Sequence, residues 1–98
     1  MAERDVVSRC VAQLCALGAT HRHLIYRGRK GCPDTAFLFD KHGYACLVEF
    51  KDGKELRREQ EKERALWLNS GVDAFQVRSH EEREAVVEIV RAKLEKMK

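Results

Sequence analysis

The stretch "DTAFLFDKHGYACLVEFK", Asp34 to Lys51, decides the fold. Two runs, "DTAFLF" (34–39) and "YACLVEF" (44–50), flank "DKHG", the form of a β-hairpin with Asp and Gly in a short turn. Strand side chains alternate between faces. With the turn centred between Lys41 and His42, Phe39 faces Tyr44, Phe37 faces Cys46 and Thr35 faces Val48. Those pairs share an apolar, aromatic side that reads as core. On the other side Leu38 faces Ala45, Ala36 faces Leu47, and Asp34 faces Glu49, with Lys51 one step further along. Directly opposed residues stand about 4.5–5.5 Å apart at Cβ, so this register sets two carboxylates against each other. A bulge in the turn would shift the register by one and undo the pairing.

Facing like charges destabilise a sheet unless a cation lies between them. Lys51 fills that role in one reading, a structural Asp–Lys–Glu cluster. A hard divalent ion fills it in the other, since Mg²⁺ and Mn²⁺ take carboxylate oxygens and water as ligands.

Outward from the hairpin, the chain reads α-β-β-β-α-β-α. A first helix runs from about Glu3 to Leu17 and stops at Gly18, with an apolar stripe of Val6, Val7, Cys10, Val11, Leu14 and Leu17. Glu3 lies one turn before that stripe; a first-turn Glu favoured by the helix dipole and a functional acid both fit. "HLIYR" (23–27) reads as a strand. A charged helix spans about Leu56 to Asn69 and ends before Gly71, and "AFQVR" (74–78) reads as a fourth strand. "SHEE" from Ser79 has the capping-box form, opening a last helix through Ala85, Val86, Ile89, Val90 and Leu94. The helical crossover between the third and fourth strands predicts that they run parallel. The class is therefore α/β, a mixed sheet flanked by helices, with a C-terminal helix.

The 98 residues predict one domain, 1–98, with a single modest core. Its 44% hydrophobic and 36% charged composition is that of a globular chain rather than a disordered one. No apolar run approaches the roughly 18 residues a membrane helix needs, and "MAERDVV" does not read as a signal peptide, which predicts an intracellular protein. Cys10, Cys15, Cys32 and Cys46 lack CxxC spacing, so reduced and mostly buried thiols are expected. A zinc site built from them and His21 to His23 has only weak spacing behind it. His42 and His80 read as surface residues. Tyr26 and Trp67 suit either core packing or base stacking.

Net charge is +3, so its distribution matters more than its size. Arg27, Arg29 and Lys30 cluster between glycines in "RGRKG"; Lys51, Lys54, Arg57 and Arg58 form a second group. Solvated loops and phosphate contacts both fit these clusters.

Pro33-Asp34, fourteen residues, then Glu49-Phe50-Lys51 is similar to the PD-(D/E)xK nuclease signature, on its usual αβββαβ core. "AERDVVSRCVAQLCALGA", "GRKGCPD", "LVEFKDG", Gln60 and "LNSGVDAFQVRSHEE" resemble the virus-type replication–repair nuclease domain (VRR-NUC) in its minimal, stand-alone bacteriophage form. Cys32 and Phe50 stand where other small apolar residues are common, and His23 where a Lys is frequent. The resemblance implies a restriction-endonuclease-like fold and a DNA endonuclease dependent on Mg²⁺ or Mn²⁺. It implies metal ligation by Asp34, Glu49 and the Phe50 carbonyl, with catalytic support from Lys51, Gln60 and Glu3. It further implies products with 5′-phosphate and 3′-hydroxyl ends, branched or four-way (Holliday) junction DNA as substrate, and a homodimer. Apolar contacts around Tyr44, Trp67 or the last helix would serve that dimer. If phage-encoded, the enzyme would act in the cytoplasm of a bacterial host, in DNA repair. Three alternatives differ in class or substrate: a non-catalytic nucleic-acid-binding module, a flap or splayed-arm nuclease, and a small scaffold whose acids form a salt-bridge cluster.

Overall fold

The hairpin forms in the expected register. Strand β2 (Thr35–Phe39) runs antiparallel to β3 (Tyr44–Phe50), with Thr35 opposite Val48, Phe37 opposite Cys46 and Phe39 opposite Tyr44, and no bulge. Gly43 closes the turn at φ +66°, a left-handed conformation that glycine adopts without steric penalty. The structure, a computed structural model, describes residues 3–24, 34–50 and 58–97; at 3, 4, 58 and 59 it describes the helical backbone alone.

Around the hairpin the elements follow the order α1 (Glu3–Ala16), β1 (Thr20–His23), β2, β3, α2 (Arg58–Asn69), β4 (Asp73–Val77) and α3 (His80–Lys96). The sheet order is β1-β2-β3-β4, with β1 antiparallel to β2 and β4 parallel to β3. This is a mixed α/β sheet flanked by helices, with a C-terminal helix.

The two faces of the sheet are covered differently. Phe37, Phe39, Cys46, Val48, Phe50 and Val77 meet Val6, Cys10 and Leu14 of α1 and Val86, Val87, Val90 and Leu94 of α3. Together they make the main core. The opposite face holds a small cluster of Ala36, Leu47 and Ala74, flanked by Leu24, Trp67 and Val72. Trp67 ties α2 to this second face. Leu38 and Ala45, near the hairpin turn, remain exposed there, so burial is confined to the end carrying Glu49.

Three expectations need correction. The first strand lies at Thr20–His23 rather than His23–Arg27; residues 25–27 are outside the described residues. All four of its side chains are exposed, so this edge strand lacks the apolar alternation that marks a strand in sequence. In α3, Ala85 and Ile89 face solvent, and the buried stripe is Arg83, Val86, Val87, Val90 and Leu94. His80 is largely covered: its Nδ1 accepts from Arg83 Nε at 2.9 Å, and its Nε2 lies 3.2 Å from Asp5. Arg83 also donates to Gln13, so a buried guanidinium bridges α3 to α1.

The α3 start has half of its expected box. Ser79 Oγ accepts the Glu82 N–H at 3.2 Å, but the Glu82 carboxylate takes the Arg78 backbone N–H at 2.6 Å together with the Arg78 guanidinium. The sheet's outer edge at β4 is protected by Arg64 of α2, whose Nε donates to the Ala74 carbonyl at 2.9 Å. Among the described residues no helix is long and apolar enough to cross a membrane.

Candidate active site

Glu49 is the penultimate residue of β3 and lies on the α2 side of the sheet, two residues after Leu47. It is only 9% exposed, as expected for a carboxylate boxed in by a helix. Gln60, in the first turn of α2 and 4% exposed, donates from Nε2 to Glu49 Oε1. A buried carboxylate needs such donors, because desolvation without them is expensive. The Gln60 amide is therefore a fixed partner of Glu49.

Asp34 immediately precedes β2. Continuing the ladder one step beyond Thr35–Val48 brings it opposite Glu49, and its own carbonyl accepts the Leu24 N–H at 2.8 Å. Thr35 Oγ1 donates to its carboxylate at 3.0 Å. Burial pushes the Asp34 carboxyl above its ordinary 3.8, partly offset by hydrogen bonds from Thr35 and the Phe50 backbone and by nearby His23. The strain on this acid is thus desolvation first. Phe50 ends β3 with its side chain in the main core.

Two polar residues that sequence reasoning did not single out share this face. Glu63 lies one turn after Gln60, is 7% exposed, and accepts the Trp67 Nε1–H at 3.0 Å. Its i,i+3 spacing from Gln60 was the available signal, hidden in a helix full of charges. Gln76 of β4 is the register partner of Glu49 and, two residues after Ala74, points to the same side. Its Nε2 is completely covered and has no hydrogen-bond partner among the described residues. An unsatisfied buried donor costs about 1–3 kcal/mol. The available signal was an amide set between the apolar Phe75 and Val77.

Other candidates are placed less fully. Glu3 opens α1 and Arg58 opens α2, with side chains outside the description. Lys51, Arg27, Arg29, Lys30, Lys54 and Arg57 lie outside the described residues, as do Tyr26, Cys32 and Pro33.

The donor set suits a hard cation: two carboxylates at the end of one hairpin, with the His23 imidazole near Asp34. The thiols are elsewhere. Cys10 and Cys46 are buried in the main core, and desolvation pushes them up to about 11 and about 12, so they stay protonated and unreactive at neutral pH. Cys15 Sγ stands 3.6 Å from His21 Nδ1, but no group of three metal-ligating side chains forms among the described residues.

No family model matches this chain, and no curated protein does. A search of solved structures finds a chain titled "VRR_NUC domain", 28% identical, with a TM-score of 0.76 over 88% of this chain and 94% of that one.

Proposed function

We propose, from the premise that this chain is a VRR-NUC nuclease domain, that it is a divalent-metal-dependent endonuclease that hydrolyses phosphodiesters in branched DNA, four-way junctions first. The observation that carries the reading is the buried Glu49–Gln60 pair beside Asp34, on the sheet face that α2 covers. Asp34, Glu49 and the Phe50 carbonyl are the residues that would hold Mg²⁺ or Mn²⁺. When bound, such an ion polarises the phosphoryl oxygen and lowers the pKa of water.

The chain's own residues have separate tasks in this reading. Gln60 fixes the rotamer of Glu49, so the carboxylate needs no reorganisation when substrate arrives. Lys51 follows Glu49 by two, so strand alternation would carry it onto the same side, where its ammonium offsets negative charge that develops during attack. Glu3 supplies a further acid from the start of α1. Arg27, Arg29, Lys30, Lys54, Arg57 and Arg58 contact backbone phosphates on either side. The products carry 5′-phosphate and 3′-hydroxyl ends.

A homodimer matches the two-fold symmetry of a four-way junction, in which two related strands must be cut. Tyr44 suits that contact poorly, since its hydroxyl is tied to Asp73 at 2.6 Å and its ring packs on Phe39. Exposed Ile89 on α3 and Leu66 on α2 suit it better.

A labelled four-way junction incubated with Mg²⁺, Mn²⁺ or EDTA tests the reading. Paired, symmetric incisions with metal and none with EDTA are expected, with light scattering near twice 11.3 kDa. A monomer that nicks one arm would redirect the reading to a flap or splayed-arm nuclease. Binding without cleavage under any metal would leave a nucleic-acid-binding module.

A further inference from the structure

Gln76 stands apart from the other polar groups on the α2 side of the sheet. Glu49 takes the Gln60 amide and Glu63 takes the Trp67 N–H. Gln76 Nε2 is equally covered yet has no acceptor among the described residues. It also sits directly beside Glu49, because β3 and β4 run parallel with Glu49 and Gln76 in register. A leucine or methionine would fill the same space without leaving a covered donor unmatched. Such a donor fits a site whose acceptor arrives with the substrate.

Resting on the nuclease reading above, we propose that Gln76 is a substrate-contacting residue: its Nε2–H donates to a non-bridging oxygen of the phosphodiester held beside Glu49. The chemistry of the neighbours selects that acceptor. Glu49 and Asp34 repel any anion that comes without compensating positive charge, so a phosphate oxygen reaches Gln76 only once the carboxylates are neutralised. Gln60 and Gln76 then divide the work. One amide orients the carboxylate, and the other receives the phosphate once the carboxylates are neutralised.

The test uses uniformly ¹⁵N-labelled protein and a short junction oligonucleotide with Ca²⁺, whose loose coordination favours binding over turnover. The Gln76 side-chain amide pair, assigned by its loss in Gln76→Met, should move downfield when DNA and Ca²⁺ are added together and stay put with Ca²⁺ alone. In Mg²⁺, Gln76→Met should lower kcat/KM about ten- to a hundredfold. Its thermal midpoint without metal should equal or exceed the parent's, because the unmatched donor is gone. Gln76→Glu should lose at least as much activity, since it replaces the donor with another anion. An unmoved amide pair with DNA bound, or Gln76→Met cleaving within about twofold of the parent, overturns the assignment. If the parent cleaves nothing with any divalent ion, the nuclease reading fails, and the amide shift alone then decides whether Gln76 meets phosphate.

Discussion

The two faces of this one sheet hold acids in opposite ways. On the α3 side, Asp73 lies between Tyr44 and Lys93; their hydrogen bonds outweigh its desolvation and hold its carboxyl below the ordinary value. Near the start of α3, Glu82 is pulled down by hydrogen bonds from Arg78. On the α2 side, Asp34 is pushed up by burial, and buried Glu49 accepts from the Gln60 amide. The first arrangement is what stability favours. The second leaves a carboxyl raised by burial, which suits a site that takes its cation from solution. On the proposed function, folding and chemistry fall to opposite sides of β2 and β3.

The sharpest way to break this division is to empty the core side. Phe37→Ala removes a fully buried ring and should cost about 3–5 kcal/mol of stability, read by denaturant unfolding. Cleavage per folded molecule should stay near the parent's. A proportionate fall in the intrinsic rate would mean that the faces are coupled.

The reverse experiment removes the acids. Asp34→Ala or Glu49→Ala should reduce cleavage below about a hundredth, some 2.7 kcal/mol in barrier terms; higher residual activity would refute their assigned roles. In metal-free buffer the two variants should diverge. Losing Asp34 relieves a desolvated carboxyl and raises the melting temperature, whereas losing Glu49 removes the acceptor of the Gln60 amide and lowers it.

Arg83 probes the α1–α3 contact. Arg83→Met removes its bonds to Gln13 and His80 and should lower stability by about 1–3 kcal/mol with no change in cleavage rate. Loss of activity without loss of stability would contradict a purely structural place for it.

The smallest effect is the most diagnostic, because its sign differs between regions. Asp34 is raised in the folded state, so its favourable contribution holds below the ordinary 3.8 and is lost as pH rises through the folded value. Asp34→Asn without metal should therefore be more stable than the parent at pH 7, with the gap closing below about pH 4. Glu82 is lowered, so its contribution is present above the ordinary 4.5 and is lost as pH falls through the folded value. Glu82→Gln should be less stable at pH 7 and converge with the parent in acid. Melting temperatures across pH 3 to 8 give both, and equal signs would erase the distinction.

Much of this was legible because it is local. A four-residue turn and strict alternation over 34–50 set the hairpin register, and with it the meeting of Asp34 and Glu49. Gly18, Gly71 and Ser79 likewise marked helix boundaries that the structure keeps. What escaped depends on partners distant in sequence. Thr20–His23 is a strand only because β2 offers it an edge, and nothing in its polar side chains says so. Arg83 is buried because Gln13 and His80 satisfy it, while Ile89, the more apolar residue, points outward. Glu63 and Gln76 come onto one face only because α2 packs on the sheet and β4 pairs with β3.

The bulge-free hairpin also has a kinetic consequence. Its turn is the shortest non-helical closure between paired elements described here, so zipping should begin at Phe39–Tyr44 and proceed toward the open end. Asp34 and Glu49 lie at that far end, where the burial of their carboxylates is met last, after the aromatic rungs are in place. Substitutions at the two acids should therefore leave the folding rate nearly unchanged and act on unfolding alone, as low-φ positions do. A chain built this way can carry buried carboxylates without slowing its own assembly.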